Sequence, residues 1–276
     1  MAETAPQTMY RQEFIAGFEK RQALSRRTVI TESEINGASA VFLVADSGNA
    51  TAVTRGLDGD IPTRPDNLNQ YTATLQEWHD VAERTKFNIY TSQGNGAAIM
   101  QKTTRSVINR KIDEDIRTEL ATATATWGAA AAATLTLVTI AKTKLANAFA
   151  DEDAEVFAWI TPAFYGYLMG LDEFTNADYV TKPGFEGVGK GKAFNWYDVD
   201  WIVDAGLDGA GSASATCFMY SRNAIGHACD MENLDVAIGY DDKNAKSWAR
   251  CSTMMGSALL QDAGVVKMLH NDSALS

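Results

Sequence analysis

The glycine-rich loop at residues 184–192, GFEGVGKGK, is the stretch of this sequence that most resembles a site for chemistry. Gly184, Gly189 and Lys190 have the G-x-x-x-x-G-K spacing of a phosphate-binding loop, in which backbone N–H groups surround the phosphates and a Ser or Thr hydroxyl holds magnesium. The magnesium position here is Gly191, and the following residues, AFNWYDVDWIVDAG, have the composition of a strand instead of a helix. We interpret the segment as a glycine loop with lysines facing solvent or a neighbour, and a nucleotide-binding enzyme with a Gly/Lys loop remains the less favoured alternative.

The other residues that could support catalysis or metal binding are scattered along the chain. His79, His227 and His270 stand in unrelated contexts, without the H-x-x-x-H spacing of a metal site, and no G-x-S-x-G elbow accompanies a Ser-His-Asp order. The acidic turns at 58–60 and 241–242 could hold a divalent cation, but neither ends in the glutamate of a calcium-binding loop. The sequence therefore predicts no active site, no cofactor and no metal site.

Composition narrows the class of protein. A chain of 276 residues with 46% hydrophobic residues can bury a sizeable core, and a net charge of −11 argues against a dedicated nucleic-acid binder. No run approaches the roughly 18 apolar residues of a membrane span, and the first residues lack a signal-peptide pattern. Cys217, Cys229 and Cys251 are widely spaced, which predicts reduced, partly buried thiols. We expect a cytoplasmic protein that does not contact membranes.

Three elements in the first half of the chain follow one another in a distinctive order. Residues 7–27 predict an amphipathic helix or arm. Residues 37–78 predict an extended strand pair with a long polar tip and few large apolar residues, which is marginal alone and needs another molecule to cover it. Residues 97–122 contain neither Gly nor Pro and predict a helix of about 26 residues, roughly 39 Å long.

The long helix has one apolar line with a residue at every fourth position: Met100, Thr104, Ile108, Ile112, Ile116 and Leu120. Such a line drifts slowly round the helix axis, which suits a helix that lies across a sheet. The charged residues lie mostly off this line and are expected to face solvent, with i,i+4 pairs such as Lys111 with Asp115.

The second half of the chain alternates helices and strands. The small residues of 121–137 predict a hinge, and TLTLVTIAKTKLANAFA predicts a helix. The run EVFAWI is typical of a buried central strand, and Pro162 begins a short aromatic helix. The ending WARCSTMMGSALLQDAGVVKMLH contains two strand-like segments, which we expect to pair with strands from early in the chain.

These segments, in this order, resemble the major capsid proteins of tailed bacteriophages with the Hong Kong 97-type fold. The matching segments are QEFIAGFEKRQ, NGASAVFLVADSGNATAVTRG, IPTRPDNLNQYTATLQEWHDV, MQKTTRSVINRKIDEDIRTELATATA, TLTLVTIAKTKL and MMGSALLQDAGVVKMLH. The resemblance covers nearly the whole chain and depends on order and proportion. It implies an α+β fold with an N-terminal arm at 1–36, an extended hairpin loop at 37–78, a peripheral domain with a spine helix at 79–134, an axial domain at 135–244 and return strands to the peripheral domain at 245–276.

The resemblance implies a non-enzymatic structural protein that self-assembles into the hexamers and pentamers of an icosahedral phage head around double-stranded DNA. It also implies assembly in the cytoplasm of a bacterial host, a separate scaffolding protein, a portal protein and, as an open option, a decoration protein. An encapsulin-like nanocompartment shell is the alternative within the same fold. The sequence departs from some family members because no Lys lies between Gly37 and Gln70, which excludes their isopeptide cross-link from the hairpin loop.

The resemblance also assigns roles to particular residues. The candidate contacts between subunits lie on the hairpin loop: Arg55, Asp58, Asp60 and Arg64. The candidate contacts with DNA on the inner surface are basic: Arg11, Arg21, Arg26, Lys102 and Arg105. Gly94 and Gly96, together with residues 121–133, are the expected hinges that let one chain fit several slightly different environments.

Overall fold

Strands from distant parts of the chain meet in two five-stranded sheets, and a separate two-stranded hairpin projects from the first sheet. This architecture comes from a computed structural model, which describes residues 23–33, 35, 37–47, 50–56, 58–64, 67–86, 96–152, 154–175, 193–229 and 235–275. Its mixture of helices and strands confirms the predicted α+β class.

The first sheet is organised by one long strand near the C-terminus. Its members are β1 (Ile30–Glu32), β4 (Gln76–Thr85), β9 (Ile225–Cys229), β10 (Asp235–Asp241) and β11 (Lys246–Leu259). The first part of β11 pairs antiparallel with β4 and with β10, and its last residues pair with β9. Strand β1 adds to β9 in parallel. The prediction that the C-terminal run returns to pair with an early strand is confirmed for β11.

A single long helix, α1 (Gly96–Thr122), packs on β11 and β4. All six residues of the predicted apolar line are buried, and the helix lies across the sheet as their spacing indicates. The expected pairing of Lys111 with Asp115 is wrong: Lys111 binds Glu114 at 3.0 Å and also lies over the Trp78 ring. Asp115 instead points toward the sheet, where the Ser257 hydroxyl donates to its carboxylate and Nδ1 of the buried His227 lies 3.7 Å away.

The hairpin consists of β2 (Ser39–Asp46) and β3 (Asn67–Thr74), which are paired antiparallel with Ser39 opposite Thr74 and Asp46 opposite Asn67. The described residues of its tip are 47, 50–56 and 58–64, and they agree with the predicted strand pair and polar loop.

The second sheet has the order β12 (Val265–His270), β8 (Ala215–Ser221), β5 (Val156–Ile160), β7 (Val199–Val203) and β6 (Ala193–Trp196). Helices α2 (Leu135–Asn147), α3 (Pro162–Met169) and the short α4 (Asp172–Thr175) accompany it. All five residues of β5 are buried, which confirms the central strand predicted from EVFAWI. The Thr161 hydroxyl caps α3 by accepting from the Phe164 N–H, and Pro162 begins the helix as predicted.

Two expectations for this part of the chain are wrong. The sequence AFNWYDVDWIV forms two strands and not one, because Tyr197 and Asp198 both adopt positive φ and reverse the chain between β6 and β7. The last strand, β12, pairs with β8 in the second sheet and not with an early strand of the first sheet. Consequently β9 and β10, expected in the axial segment, lie in the first sheet, whereas β12, expected as a return strand, lies in the second.

The small-residue segment at 121–137, predicted as a hinge, is held along β12. Backbone N–H groups of Trp127 and Ala131 donate to carbonyls of Lys267 and Leu269, and the Trp127 side chain is buried. The tryptophan ring stacks on Phe164 with a centroid distance of 5.7 Å. A buried aromatic residue thus attaches a segment whose composition indicates flexibility.

Candidate subunit interface

The hairpin strands have two different faces because side chains alternate along each strand. Ala40, Phe42 and Ala73 face the body of the protein, where they pack with Ala228 and Leu260 in a small apolar cluster. The opposite face points outward. The base of the hairpin is therefore covered by its own chain, which the sequence did not predict.

Two glycines of the first sheet form the seat of the hairpin, meaning the surface on which its base rests. A Cβ atom at Gly226 would lie 2.8 Å from Cε2 of Phe42, and one at Gly256 would collide with the carbonyl oxygen of Thr74. Only glycine therefore permits this close approach of hairpin and sheet. Gly226 and Gly256 directly precede His227 and Ser257, which face each other across β9 and β11.

The outward face of the hairpin is apolar and open. Leu43 is 62% exposed and Leu68 is 59% exposed, and Val41 lies on the same face beside them. Large exposed apolar residues grouped on one surface are typical of a contact with another protein. This surface fits the expectation that another molecule covers the hairpin.

The tip of the hairpin contains the four residues predicted to contact other subunits. Residues 50–56 and 58–64 are all exposed, and the turn is closed by the Gly56 N–H donating to the Asp60 carbonyl at 3.1 Å. Arg55, Asp58 and Arg64 point into solvent with Asp60, and within the described residues none of the four forms an ion pair. The structure brings them to one projection and leaves their charges available.

The predicted DNA contacts are only partly within the described residues. Lys102 and Arg105 are exposed and three residues apart on α1, so they lie on neighbouring positions of one helix face. Arg26 begins a 3-10 helix, Arg26–Thr28, and is half-buried. Of the predicted hinge glycines, Gly96 is the first residue of α1. Three predicted residues lie outside the described residues: Arg11, Arg21 and Gly94.

A buried carboxylate that the sequence reading missed holds the start of the described chain. Asp113 of α1 is only 2% exposed and accepts hydrogen bonds from the Ser25 N–H at 3.0 Å, the Ser25 hydroxyl at 2.5 Å and the Leu24 N–H at 3.3 Å. The Thr28 hydroxyl extends this contact to the Tyr220 hydroxyl at 2.5 Å. Because Asp113 lies within a highly charged stretch of the helix, residue type alone indicated a solvated position.

A partly buried polar group joins the other side of α1 to the seat of the hairpin. The Ser257 hydroxyl donates to Oδ2 of Asp115 at 2.6 Å, and Nδ1 of His227 lies 2.9 Å from the Ser257 oxygen. Burial by itself would lower the pKa of His227, but its interactions with Asp115 and Cys229 outweigh burial and raise it. No spacing in the sequence indicated this group, because its members come from β9, β11 and α1.

The remaining candidates for chemistry do not converge. His79 is exposed on β4 and contacts the Ser252 hydroxyl, whereas His270 is buried in the second sheet, with Nδ1 2.5 Å from Asp272. Burial lowers the pKa of His270 despite this carboxylate. Asp241 accepts three hydrogen bonds from Lys243 and Asn244, as an ordinary turn residue does.

The remaining kinds of site to consider are a metal centre, a membrane-spanning helix and the Gly/Lys loop. Across the described ranges, no group of three His, Cys, Asp or Glu residues is arranged to hold a metal ion. Of the helices in the described part of the chain, none is long and apolar enough to cross a membrane. The Gly/Lys loop with Lys190 lies outside the described residues.

A family model and several solved structures are similar to this chain. A family model described as phage capsid protein matches residues 2–272. The fold is similar to that of Mycobacterium phage Che8, with a TM-score of 0.76 at 12% identity over 97% of this chain and 98% of the other. It is also similar to the capsid of cyanophage P-SCSP1u, with a TM-score of 0.71 at 11% identity over 95% and 91% of the two chains. The capsid of Ralstonia phage GP4 gives 0.70 at 10% identity over 98% and 97%. Curated proteins gave no match.

Proposed function

The chain belongs to the phage capsid protein family, and we propose that its copies self-assemble into the hexamers and pentamers of an icosahedral head that encloses double-stranded DNA. The observation that carries this proposal is the family match over residues 2–272, which includes the arm, hairpin, helix and both sheets. The virion is accordingly its location, and we place assembly in the cytoplasm of the host.

The hairpin supports this proposal physically. Its tip projects with four available charges, and its outward face exposes apolar side chains that a monomer would leave in water. Neighbouring copies can cover this surface, and a closed shell repeats each contact many times, so that each contact can be individually modest. Charged side chains at the tip favour correct pairing because like charges brought together cost free energy.

The two sheets support a division into two units with amended boundaries. We propose that the first sheet, α1 and the hairpin form the peripheral domain, and that the second sheet with α2 and α3 forms the axial domain. Strands β9 and β10 then belong to the peripheral domain and β12 to the axial domain. Residues 121–133 pass between the two units along β12.

Electron microscopy of the expressed protein tests the main proposal directly. Closed particles are expected, and a protein that stays monomeric at high concentration would contradict it. Particles filled with DNA in infected cells would favour a phage head over an encapsulin-like compartment. If the protein assembles alone only into irregular aggregates, the proposed separate scaffolding protein is required; portal and decoration proteins remain further proposed partners.

The charged tip provides a sharper test. Arg64→Glu should leave a soluble, folded subunit because Arg64 is exposed, but it should assemble poorly because a cation at the subunit contact becomes an anion. Arg64→Lys keeps the charge and is the matched control. A normal particle yield from Arg64→Glu would contradict the proposal that the charges of the tip lie at the interface between subunits.

Contact with DNA is the finest part of the proposal and rests on Lys102 and Arg105. Each phosphate contact removed should reduce the slope of log affinity against log salt by about 0.9 units. Lys102→Glu combined with Arg105→Glu should therefore weaken binding to DNA and flatten its salt dependence. Arg222→Glu is a matched control, because Arg222 already pairs with Glu155 at 3.4 Å. An unchanged slope would show that α1 does not face the DNA.

A further inference from the structure

The buried chain of His227, Ser257 and Asp115 has a defined direction of hydrogen bonding. Asp115 as a carboxylate only accepts, so the Ser257 hydroxyl donates to it, and the Ser257 oxygen then accepts from the Nδ1–H of His227. This assignment follows from the hydrogen-bond geometry. Nδ1 therefore keeps its proton in both charge states, and the ring gains or loses its titrating proton at Nε2.

Nε2 of His227, the atom that gains or loses the proton, is shielded from solvent. Among the described residues, no group is aligned as its hydrogen-bond partner. The Cys229 thiol, two residues along β9, is close enough to interact electrostatically with the ring. Burial by itself raises the pKa of Cys229, but His227 and the Thr253 hydroxyl outweigh burial and lower it. Histidine and thiol thus favour each other's charged forms.

Several other charged groups act on this site. From α1, Glu119 lies near Asp115, and burial followed by the Asp115 charge raises the pKa of Glu119. From the 3-10 helix, Arg26 acts on Cys229. Strand β11 contributes only the uncharged Ser257 and Thr253, and β1 places the uncharged Thr31 opposite His227. The Asp115 end reaches solvent, since Asp115, Glu119 and Ser257 line an open groove of about 470 Å³ beside β3.

The position of this chain links it to the hairpin. His227 and Ser257 face α1, whereas their immediate neighbours Gly226 and Gly256 face the hairpin and form its seat. The strand pair β9–β11 therefore carries the hairpin on one face and is tied to α1 by hydrogen bonds on the other.

We propose that the His227–Ser257–Asp115 chain is a proton-responsive joint, which ties α1 to the strand pair that seats the hairpin and makes the strength of that tie depend on pH. Its effect on assembly rests on the proposed function. Its effect on the stability of a single subunit does not. The proposed effect on subunit stability and the proposed shell function can therefore be contradicted by different results.

The pH dependence has a definite sign. Since the pKa of His227 is raised in the folded protein, its stabilisation is complete below its ordinary value near 6.5 and is lost as the pH rises through the folded value. Cys229 acts in the opposite sense, because a lowered pKa stabilises the fold above the ordinary thiol value and loses that effect as the pH falls. Cys229→Ser removes the opposing contribution.

The test compares melting temperatures of unassembled subunits from about pH 6 to about pH 9. In the Cys229→Ser background, Asp115 still raises the pKa of His227, so the melting-temperature advantage of His227 over His227→Gln should shrink as the pH rises across this range. His79→Gln is the matched control, since His79 also contacts a serine hydroxyl but is exposed. A pH-dependent difference that His79→Gln also produces would not be specific to the buried histidine. Parallel profiles for His227 and His227→Gln would overturn the proposal.

Two further measurements keep the test decisive if His227→Gln does not fold. Asp115→Asn removes the carboxylate that favours the charged ring, so it should shift the His227 titration, followed by proton NMR of the ring, toward lower pH. An unshifted titration would contradict the joint. Particle yield should depend on pH less in Asp115→Asn than in the unchanged protein; a subunit with the expected melting profile that forms no particles would count against the shell function alone.

Discussion

The aromatic core beside the second sheet and the hairpin of β2 and β3 are stabilised in opposite ways. Phe164 is fully buried against Trp127, Trp201 and His270, and Phe194 stacks on Trp201 with an interplanar angle of 3°. On the hairpin, the described residues of the tip are all exposed, and the face toward the seat is covered. The first region is complete within one chain, whereas the second leaves apolar surface for another molecule.

This difference indicates how a shell subunit can be stable before assembly and still depend on its neighbours. Burial of several aromatic side chains supplies the free energy of folding, since each large side chain contributes about 1.5–3 kcal/mol. The hairpin contributes little to the free energy of folding, and its outward face leaves apolar side chains exposed. Changes in the two regions should therefore separate subunit stability from assembly.

The largest effect on the isolated subunit is expected in the aromatic core. Phe164→Ala should lower the free energy of unfolding by about 3–5 kcal/mol, because it leaves a cavity among three rings. Urea unfolding of the soluble subunit measures this loss. Phe149→Ala is the matched control, since Phe149 is 67% exposed and its replacement should change stability by less than about 0.5 kcal/mol. If Phe164→Ala and Phe149→Ala lower the free energy of unfolding equally, the aromatic core is not what stabilises the isolated subunit.

The next largest effect is expected where the first described residues meet α1. Asp113→Ala removes an acceptor from two backbone N–H groups and a hydroxyl, so we expect a loss of about 1.5–3 kcal/mol in unfolding experiments. Glu114→Ala, on the adjacent exposed position, removes only a surface pair with Lys111 and should cost less than about 0.5 kcal/mol. If Asp113→Ala and Glu114→Ala lower the free energy of unfolding by similar amounts, Asp113 does not anchor Leu24 and Ser25 to α1.

A smaller effect, with the opposite sign, is expected in the turn between β6 and β7. Asp198 has a φ of 59°, a conformation that glycine adopts without steric cost, so Asp198→Gly should raise the free energy of unfolding by up to about 1 kcal/mol. Asp60→Gly in the hairpin tip is the control, because Asp60 is not among the described residues with positive φ. Its stability should not increase. If the free energy of unfolding rises in both variants, the gain comes from removing an aspartate and not from the backbone conformation at Asp198.

The smallest effect on the isolated subunit is expected on the outward face of the hairpin. Leu43→Ser with Leu68→Ser should change the unfolding free energy by less than about 0.5 kcal/mol, since both leucines are already in water. Particle yield, measured by sedimentation and microscopy, should nevertheless fall strongly. Phe42→Ser on the inner face of β2 should instead destabilise the subunit itself. Normal particles from the leucine variant would mean that this face is not covered in the shell.

Local patterns predicted much of the fold. The four-residue spacing from Met100 to Leu120 predicted both the helix and its buried line, and the run Val156–Ile160 predicted a buried strand. These patterns work because burial on one face repeats with the period of the element. The candidate interface on the hairpin was inferred from the same kind of pattern, since few large apolar residues there could face a core of their own, and it stays a prediction.

The features that the sequence did not predict depend on contacts between distant residues. Strand β12 could have paired with several strands of similar composition, and only its register with β8 decided the outcome. The segment around Trp127 has a flexible composition, but one buried ring attaches it to β12. Asp113 and Asp115 lie on a charged helix, and their burial follows from hydrogen bonds to residues at least 88 positions away.

The sequence by itself determined where the helices and most strands form, which helix face is buried, and that residues 37–78 carry too little apolar surface to fold alone. Periodicity and composition are local properties of the chain, so they can be read without a structure. The tertiary structure alone decided which sheet receives β12, how two glycines seat the hairpin, and that His227, Ser257 and Asp115 meet. These outcomes depend on long-range packing and on pairing buried polar groups, for which sequence spacing carries no signal.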